Sequence, residues 1–203
     1  MKYSTEVESR ILLAAERVFY RKGKDGASMQ EIAVEANITR TSLNYYYRTK
    51  DKLFEAVFRK TMMLFIPEIG SLINEDQSFR DFLINMVNVI IDTMMQNPHI
   101  PIFVLQELSS NPERMPKIVS DMGLSPDMAV STFSRNEDLT NLSISPMDVV
   151  LNVISMSIFP FAAKPMLLAL MFQGDEEAYY KAMGFRKEVI RQMIDTMLNS
   201  KAL

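Results

Sequence analysis

The chain has 203 residues, of which 48% are hydrophobic and 23% charged, and it contains no cysteine. This composition is typical of a folded protein with a sizeable core, and it excludes disulfides, thiolate zinc sites and cysteine nucleophiles. The net charge of −3 hides an asymmetry: residues 1–60 carry 12 Lys/Arg against 8 Asp/Glu, and the remainder carries 10 against 17. A basic N-terminal segment (+4) joined to an acidic remainder (−7) fits a DNA-binding end on a body that avoids DNA.

The residues before 37 predict two helices. Apolar residues at helical spacing indicate a first helix from about Thr5 to Lys22, ended by glycines 23 and 26. Ser28 and Glu31 have the spacing of a capping box, which starts a second, short helix over 29–35. The first ten residues are mixed polar and charged, so we expect no secretory signal and a cytoplasmic protein.

A tight turn and a third helix follow, which together with the second predict a helix-turn-helix. Asn37 lies where the turn needs a positive φ, and Thr39 can cap the next helix. The leading end of that helix carries short hydrogen-bonding side chains and Arg40, which could read guanine or contact phosphate. Residues 45–47 are three tyrosines that cannot all face one way on a helix. We expect the hydroxyls of the first two to contact phosphates and Tyr47 to pack in the core. The residues predicted to contact double-stranded DNA are Ser28, Gln30, Thr39, Arg40, Thr41, Asn44, Tyr45, Tyr46 and Lys50.

This stretch resembles the N-terminal domain of the tetracycline-repressor (TetR) family of bacterial transcription regulators. The resemblance covers roughly residues 5–60. Asn37 stands where the family usually has Gly, and Asn44 where it has Tyr, which we expect to change the bases that are read. The positions that match the family pattern are Ser28, Ile32, Ala33, Ala36, Ile38, Thr39, Leu43, Tyr47, Lys50 and Leu53.

The rest of the chain is predicted to be helical as well, which makes the fold all-α. A fourth helix should begin at Thr49, run through Phe65 and be closed by Pro67 and Gly70. Further helices are expected near 78–96, 101–109, 112–122, 126–133, 149–159 (launched by Ser145-Pro146) and 185–199. We divide the chain into a helix-turn-helix domain at 1–48, a connecting helix at 49–66 and a ligand-binding and dimerisation domain at 67–203.

The segment from Val149 to Phe172 is apolar enough to suggest a membrane span. Asn152, Lys164 and the prolines at 160 and 165 would then lie in the bilayer core, so we expect no membrane partner. A helix that is apolar nearly all round in a soluble protein is buried on both sides, here by its own domain and a second subunit.

Seventeen methionines allow two interpretations, ordinary core filling or an adaptable apolar cavity for a small, mostly apolar effector. In the second interpretation Gln106 or Glu107 orients a polar end of the ligand, although a solvated face is favoured for Glu107. The candidate ligand-binding residues are Phe82, Met86, Phe103, Gln106, Glu107, Met115, Met122, Met156 and Phe159.

Little in the sequence supports catalysis. His99 is the only histidine, and Gln96 stands where a Glu-x-x-His metal motif needs an acid. The sequence also lacks the full set of residues for a histidine-based catalytic triad or for a phosphate-binding Gly-rich loop. We therefore expect neither an enzyme nor a bound metal or cofactor.

The two apolar helices near 146–164 and 185–199 carry more apolar surface than one small body can cover, so a homodimer is expected. The resemblance implies that they pair across a two-fold axis and that a ligand moves the fourth helix. It also implies a ligand-responsive regulator, here a repressor, on a near-palindromic operator. The alternative is a helical protein–protein adaptor that no longer reads DNA. The candidate interface residues are Val189, Met193, Ile194 and Met197.

Overall fold

The computed structural model of the protein describes residues 2–73, 77–125, 128 and 144–199. Within these residues all regular secondary structure is helical, so the predicted all-α fold is confirmed. The chain divides into two compact units. The first comprises Met1–Met63 and Ile102–Arg114, and the second comprises Leu64–Pro101 and Met115–Leu203.

Eleven helices lie in the described residues. They are α1 Lys2–Gly26, α2 Met29–Glu35, α3 Arg40–Tyr46, α4 Lys50–Met62, α5 Ile66–Ser71, α6 Phe79–Gln96, α7 Ile100–Ser110, α8 Arg114–Asp121, α9 Pro146–Ala162, α10 Lys164–Met171 and α11 Glu176–Asn199.

Local hydrogen bonds define the helix-turn-helix of the first unit. The Ser28 hydroxyl accepts from the Glu31 N–H, and the Glu31 carboxylate accepts from the Ser28 N–H, so the predicted capping box is present. Asn37 has φ 53° in the turn, as expected. Thr39 caps α3 by accepting from the Ser42 N–H at 3.1 Å. Such caps contribute about 1 kcal/mol each, so short polar side chains fix where α2 and α3 start.

An aromatic cluster lies between α1, α4 and α7 of the first unit. The Phe103 ring is 4.8 Å from the Tyr20 ring, 5.2 Å from the Phe54 ring and 5.6 Å from the Phe58 ring, centroid to centroid. α1 also breaks in this unit, because Gly23 has φ 68° and ψ 177°. The segment 102–114, distant in sequence from the helix-turn-helix, therefore supplies part of the core of the same unit.

In the second unit α6 packs against α9 and α11, and α9 packs against α11. The buried side of α6 is made of Phe82, Leu83 and six further apolar residues. Val149 and Val153 of α9 and Ile190 of α11 are also buried. These three long helices form the framework of the unit.

Pro160 lies inside α9, where a proline removes the N–H that the carbonyl four residues earlier would accept and costs about 3 kcal/mol. That carbonyl belongs to Met156, and the Arg186 Nε donates to it at 2.7 Å. The Tyr179 hydroxyl in turn donates to the Pro160 carbonyl at 3.1 Å. Two side chains of α11 thus satisfy the backbone of α9 around its proline.

Predicted helix limits differ from the structure at α4, α5 and α11, among others. α4 ends at Met62 rather than running through Phe65, and Pro67 lies in the first turn of α5 instead of closing a helix. α11 begins at Glu176, well before 185, because Asp175 caps it by accepting from the Ala178 N–H. The helix predicted at 126–133 lies outside the described residues except for position 128.

No single helix among the described residues is both long and apolar enough to cross a membrane. α9 and α10 reach that length and apolarity only together, and they are bent by 73° at their junction.

Candidate nucleic-acid interface

One face of α3 carries the exposed polar side chains. Arg40, Thr41, Asn44 and Tyr45 are all exposed, and Tyr45 is 85% accessible. Because successive helical residues are about 100° apart, these four positions form one continuous face. Leu43 lies on the opposite side and is fully buried. The helix is therefore held by one apolar residue and presents the four predicted DNA contacts together.

The remaining predicted contacts flank this face. Thr39 is exposed while its hydroxyl caps α3, and Gln30 is exposed in the first turn of α2. Ser28 is exposed, but its hydroxyl belongs to the capping box. Tyr46 is half-buried, with its ring 5.5 Å from that of Tyr45.

Tyr47 ends α3 and ties it to α1. Its ring is half-buried, which matches only in part the expectation that it packs in the core. The hydroxyl donates to the Glu8 carboxylate at 3.2 Å. Burial, with the neighbouring Glu8 charge, raises the pKa of Tyr47 to about 12. The phenol therefore stays a hydrogen-bond donor over the physiological range.

The Lys50 ammonium makes contacts within the first unit. Its Nζ donates to the carbonyl oxygens of Asp25 and Ala27, at 3.3 and 3.0 Å. The predicted phosphate contact is therefore replaced by an internal one, which holds the end of α1 to the start of α4. Sequence reasoning overlooked two better candidates, Arg48 and Lys52, which are exposed beside α3 and have no ion-pair partner within the described part of the chain.

A buried ion cluster lies in the same unit, at the start of α4. The Arg114 Nε donates to Glu107 Oε1 at 2.5 Å, and its Nη2 donates to Asp51 Oδ1 at 2.7 Å. Lys24 also contacts Asp51 Oδ1, at 2.6 Å. The guanidinium carbon lies 5.6 Å from the Phe54 ring centroid, within cation–π range.

Glu107 is only 2% exposed, so the favoured interpretation of a solvated face was wrong. It shares the buried side of α7 with Ile100 and Phe103, and Arg114 balances its charge. Burial opposes the charge of Arg114, but the hydrogen bonds to Asp51 and Glu107 outweigh it and raise the pKa of the guanidinium. The hydrogen bond from Lys24, helped by that from Arg114, lowers the pKa of the Asp51 carboxyl.

The first unit also contains a cavity of about 450 Å³ beside this cluster. Three of the nine predicted ligand-binding residues line it: Phe103, Gln106 and Glu107. The lining is mostly polar rather than the apolar one predicted for the body. Its residues are Lys22, Gly23, Lys24, Asp25, Phe54, Phe103, Gln106, Glu107, Ser110 and Asn111.

The other six predicted ligand-binding residues belong to the second unit. Phe82 and Met86 are buried in α6, and Met115, Met122 and Met156 are half-buried. Phe159 is 59% exposed on α9, so its predicted place in a cavity lining was wrong. Val153 and Ser157 occupy the inward side of that helix instead.

The predicted dimer residues fall into two groups. Met193 is exposed on α11, and Val189 and Met197 are half-buried. Ile194 is 0% exposed, because it lies on the side of α11 that faces its own unit. It is therefore not available to a partner, and this assignment was wrong.

No group of three or more His, Cys, Asp and Glu side chains in the described residues could hold a metal ion. His99 lies in the turn between α6 and α7.

Comparisons with known proteins agree with this arrangement. Residues 11–57 match the family model of bacterial regulatory proteins, tetR family. An uncharacterized HTH-type transcriptional regulator of Haemophilus influenzae is 26% identical over 96 residues. That match covers 47% of this chain and about half, 51%, of the relative's length.

Solved structures share the fold. The hemolysin II transcriptional regulator HlyIIR superposes with a TM-score of 0.68 at 21% identity, over 97% of this chain and 99% of its own. The fatty acid degradation regulator FadR from Bacillus halodurans has a TM-score of 0.66 at 15% identity, over 92% and 93%. A TetR-family transcriptional regulator from Haemophilus influenzae has a TM-score of 0.62 at 20% identity, over 90% and 98%. The N-terminal helix-turn-helix thus matches the tetR family of bacterial regulatory proteins over residues 11–57, and the chain shares the all-α fold of these solved regulators.

Proposed function

We propose that this chain is a tetR-family regulator that binds a near-palindromic operator as a homodimer and represses transcription in the cytoplasm. A small, mostly apolar effector releases it from the operator. The observation that carries the proposal is the exposed face of α3, on which Arg40, Thr41, Asn44 and Tyr45 lie together opposite the buried Leu43. A helix that presents an arginine and an amide along one face has the side chains that pair with guanine and adenine in the major groove.

The charge around α3 supports the same proposal. Arg48 and Lys52 are exposed at the end of α3 and the start of α4, where they can contact the phosphates that flank the groove. The first 60 residues carry a net charge of +4 in a chain of net charge −3. An adaptor that had lost DNA reading would not need this combination of a hydrogen-bonding helix face and flanking cations.

Exposed apolar side chains support the homodimer. On α9, the exposed apolar residues Met147, Leu151 and Phe159 are spaced by four and eight residues, so they lie along one side of the helix. On α11, the exposed residues Phe185 and Met193 are eight residues apart and also lie along one side. Two helices of one unit that each carry an exposed apolar stripe form the kind of surface that a second copy of the chain covers.

For the effector we retain the predicted division of the chain into three parts. In this proposal residues 1–48 read DNA, 49–66 connect and 67–203 hold the ligand. The buried or half-buried methionines 86, 115, 122 and 156 support it, because thioether chains repack at little cost around a bound apolar molecule. The effector must bind the DNA-incompetent state better, by about 1.4 kcal/mol for each tenfold loss of operator affinity.

Selection of duplexes from a random pool by the purified full-length protein tests the proposal. We expect enrichment of a sequence with two inverted half-sites, competed poorly by unrelated DNA. A pool that shows no enrichment over several rounds would contradict DNA reading and favour the adaptor.

A further inference from the structure

We propose that Arg114 is a positioning residue for DNA recognition, which acts through Asp51 on the start of α4 and hence on the end of α3. The inference deepens the proposed function and rests on it, because its readout is operator binding. It assigns a role in DNA recognition to a residue far outside the helix-turn-helix in sequence.

Arg114 makes contacts with three carboxylates of the first unit. Its guanidinium bonds to Glu107 at 2.5 Å and to Asp51 at 2.7 Å, and its Nη1 is 3.7 Å from Glu55 Oε2. Only 8% of its side chain is accessible. A planar guanidinium holds several acceptors in fixed directions, which a lysine cannot do.

Asp51 is the carboxylate through which this geometry reaches the recognition helix. It is the second residue of α4, and only Tyr47, Arg48 and Thr49 separate α4 from α3. Lys24, which follows the break of α1 at Gly23, contacts the same carboxylate oxygen. Arg114 and Lys24 therefore attach two other segments of the unit to the first turn of α4. Because the linker is three residues long, a shift of that turn must also move the end of α3.

The burial of the Arg114–Glu107 pair indicates why this cluster should affect the position of α4 more than the stability of the protein. Replacing a buried ion pair by apolar residues of similar size is often neutral or stabilising, because the charges lose their desolvation cost together. What the replacement does remove is the directional contact with Asp51. Stability and operator affinity should then respond differently to the same change.

The experiment uses the full-length double variant Arg114→Met/Glu107→Leu, which removes both buried charges. We expect its thermal unfolding midpoint to equal or exceed that of the unmodified protein. We expect operator affinity to fall by about tenfold, since the start of α4 has lost one of its two anchors. Arg114→Met alone leaves Glu107 buried without its partner, so it should lose stability as well as affinity.

Two further measurements separate positioning from general damage. Arg80→Gln/Asp195→Asn removes an arginine–carboxylate pair of the second unit, bonded at 2.6 and 3.1 Å, and should leave operator affinity unchanged. Asp51→Asn should weaken operator binding in the unmodified protein. It should have a smaller effect in the Arg114→Met/Glu107→Leu background, because only the contact between Lys24 and Asp51 is then left to lose.

Operator affinity unchanged in a folded Arg114→Met/Glu107→Leu protein would overturn the inference and leave the proposed function intact. Additive effects of Asp51→Asn and the double variant would also overturn it. Failure of the unmodified protein to bind any operator would instead remove the proposed function, and this inference with it.

Discussion

The Arg114 Nη2 donates to Asp51 Oδ1 at 2.7 Å although 63 residues separate the two in sequence. The contact joins the start of α8 to the start of α4, and both residues belong to the first unit. The first unit is therefore larger than its helix-turn-helix, because 102–114 supplies an aromatic residue to its core and a buried cation beside Asp51.

Loss of the Arg114 side chain should be costly. Arg114→Ala leaves Glu107 buried without its counter-charge, and we expect the free energy of unfolding to fall by about 3–5 kcal/mol. Denaturant titration of the full-length protein measures this. Arg80→Ala is the matched control and should lose far less stability, because its ion pair with Asp195 is partly exposed to solvent. Equal losses at the two positions would contradict the importance of burial.

Base preference should depend on α3. Arg40→Ala and Asn44→Ala should each relax selectivity at one base pair, at a cost of about 1–3 kcal/mol for that pair. Competition binding with single-base variants of the selected duplex measures the effect, with exposed Lys117→Ala in α8 as the control. An equal loss of affinity for every duplex would show that Arg40 contacts only phosphate.

Removal of the cations around the start of α4 should weaken DNA binding at some positions and protein stability at another. Arg48→Ala and Lys52→Ala should weaken binding to all duplexes and each reduce the slope of log affinity against log salt by about one. Lys50→Ala should instead lower stability, because it removes the contacts with the Asp25 and Ala27 carbonyls. A reduced salt slope for Lys50→Ala with unchanged stability would assign the phosphate contact to Lys50 after all.

Dimerisation should fail when a charge is placed on the exposed stripe of α11. Met193→Asp should yield a folded monomer in sedimentation velocity, because a carboxylate would be buried at the interface. Val34→Asp, at an exposed apolar site of the first unit, should leave the dimer intact. Ile194→Asp should unfold the protein rather than dissociate it. A Met193→Asp dimer of unchanged affinity would place the interface elsewhere.

Alkaline pH should destabilise the protein through its buried phenols. Burial raises the pKa of Tyr20 and of Tyr179 to about 12, from about 10 in the unfolded chain. A raised folded-state pKa favours the neutral phenol, so the stabilisation is complete below pH 10 and is lost as the pH rises towards 12. Stability measured against pH should fall over this interval, and Tyr179→Phe should flatten the fall. A flat profile between pH 10 and 12 would contradict the burial argument.

Helix starts were predictable from sequence where a single side chain sets them. Ser28, Thr39 and Thr49 each cap the helix that follows by a bond to a nearby N–H. Ends were harder to predict. The stretch 62–65 contains neither Gly nor Pro, so no local residue marks the turn that buries Phe65. The start of α11 had a cue in Asp175, but Gly184 within the helix concealed it.

The exposed face of α3 was predictable from sequence, and the environment of the residues around it was less so. Lys50 precedes the buried Leu53 and Phe54 by three and four residues, and this spacing puts it on the inward side of α4. Helical periodicity alone could therefore have predicted Lys52, rather than Lys50, as the phosphate contact. Glu107 likewise shares a stripe with the buried Phe103. Its partner Arg114 and their joint contact with Asp51 depend on tertiary packing, which periodicity does not specify.

Operator reading by a homodimer fixes the stoichiometry and the symmetry of the protein on its selected duplex. Native mass spectrometry of the complex, with a footprint of the same duplex, gives both. We expect two protomers on one duplex, with protection over two inverted half-sites whose centres are about one helical turn, or a multiple of it, apart. A single protomer on an asymmetric site, or a complex unchanged in affinity by Arg40→Ala and Asn44→Ala together, would contradict it.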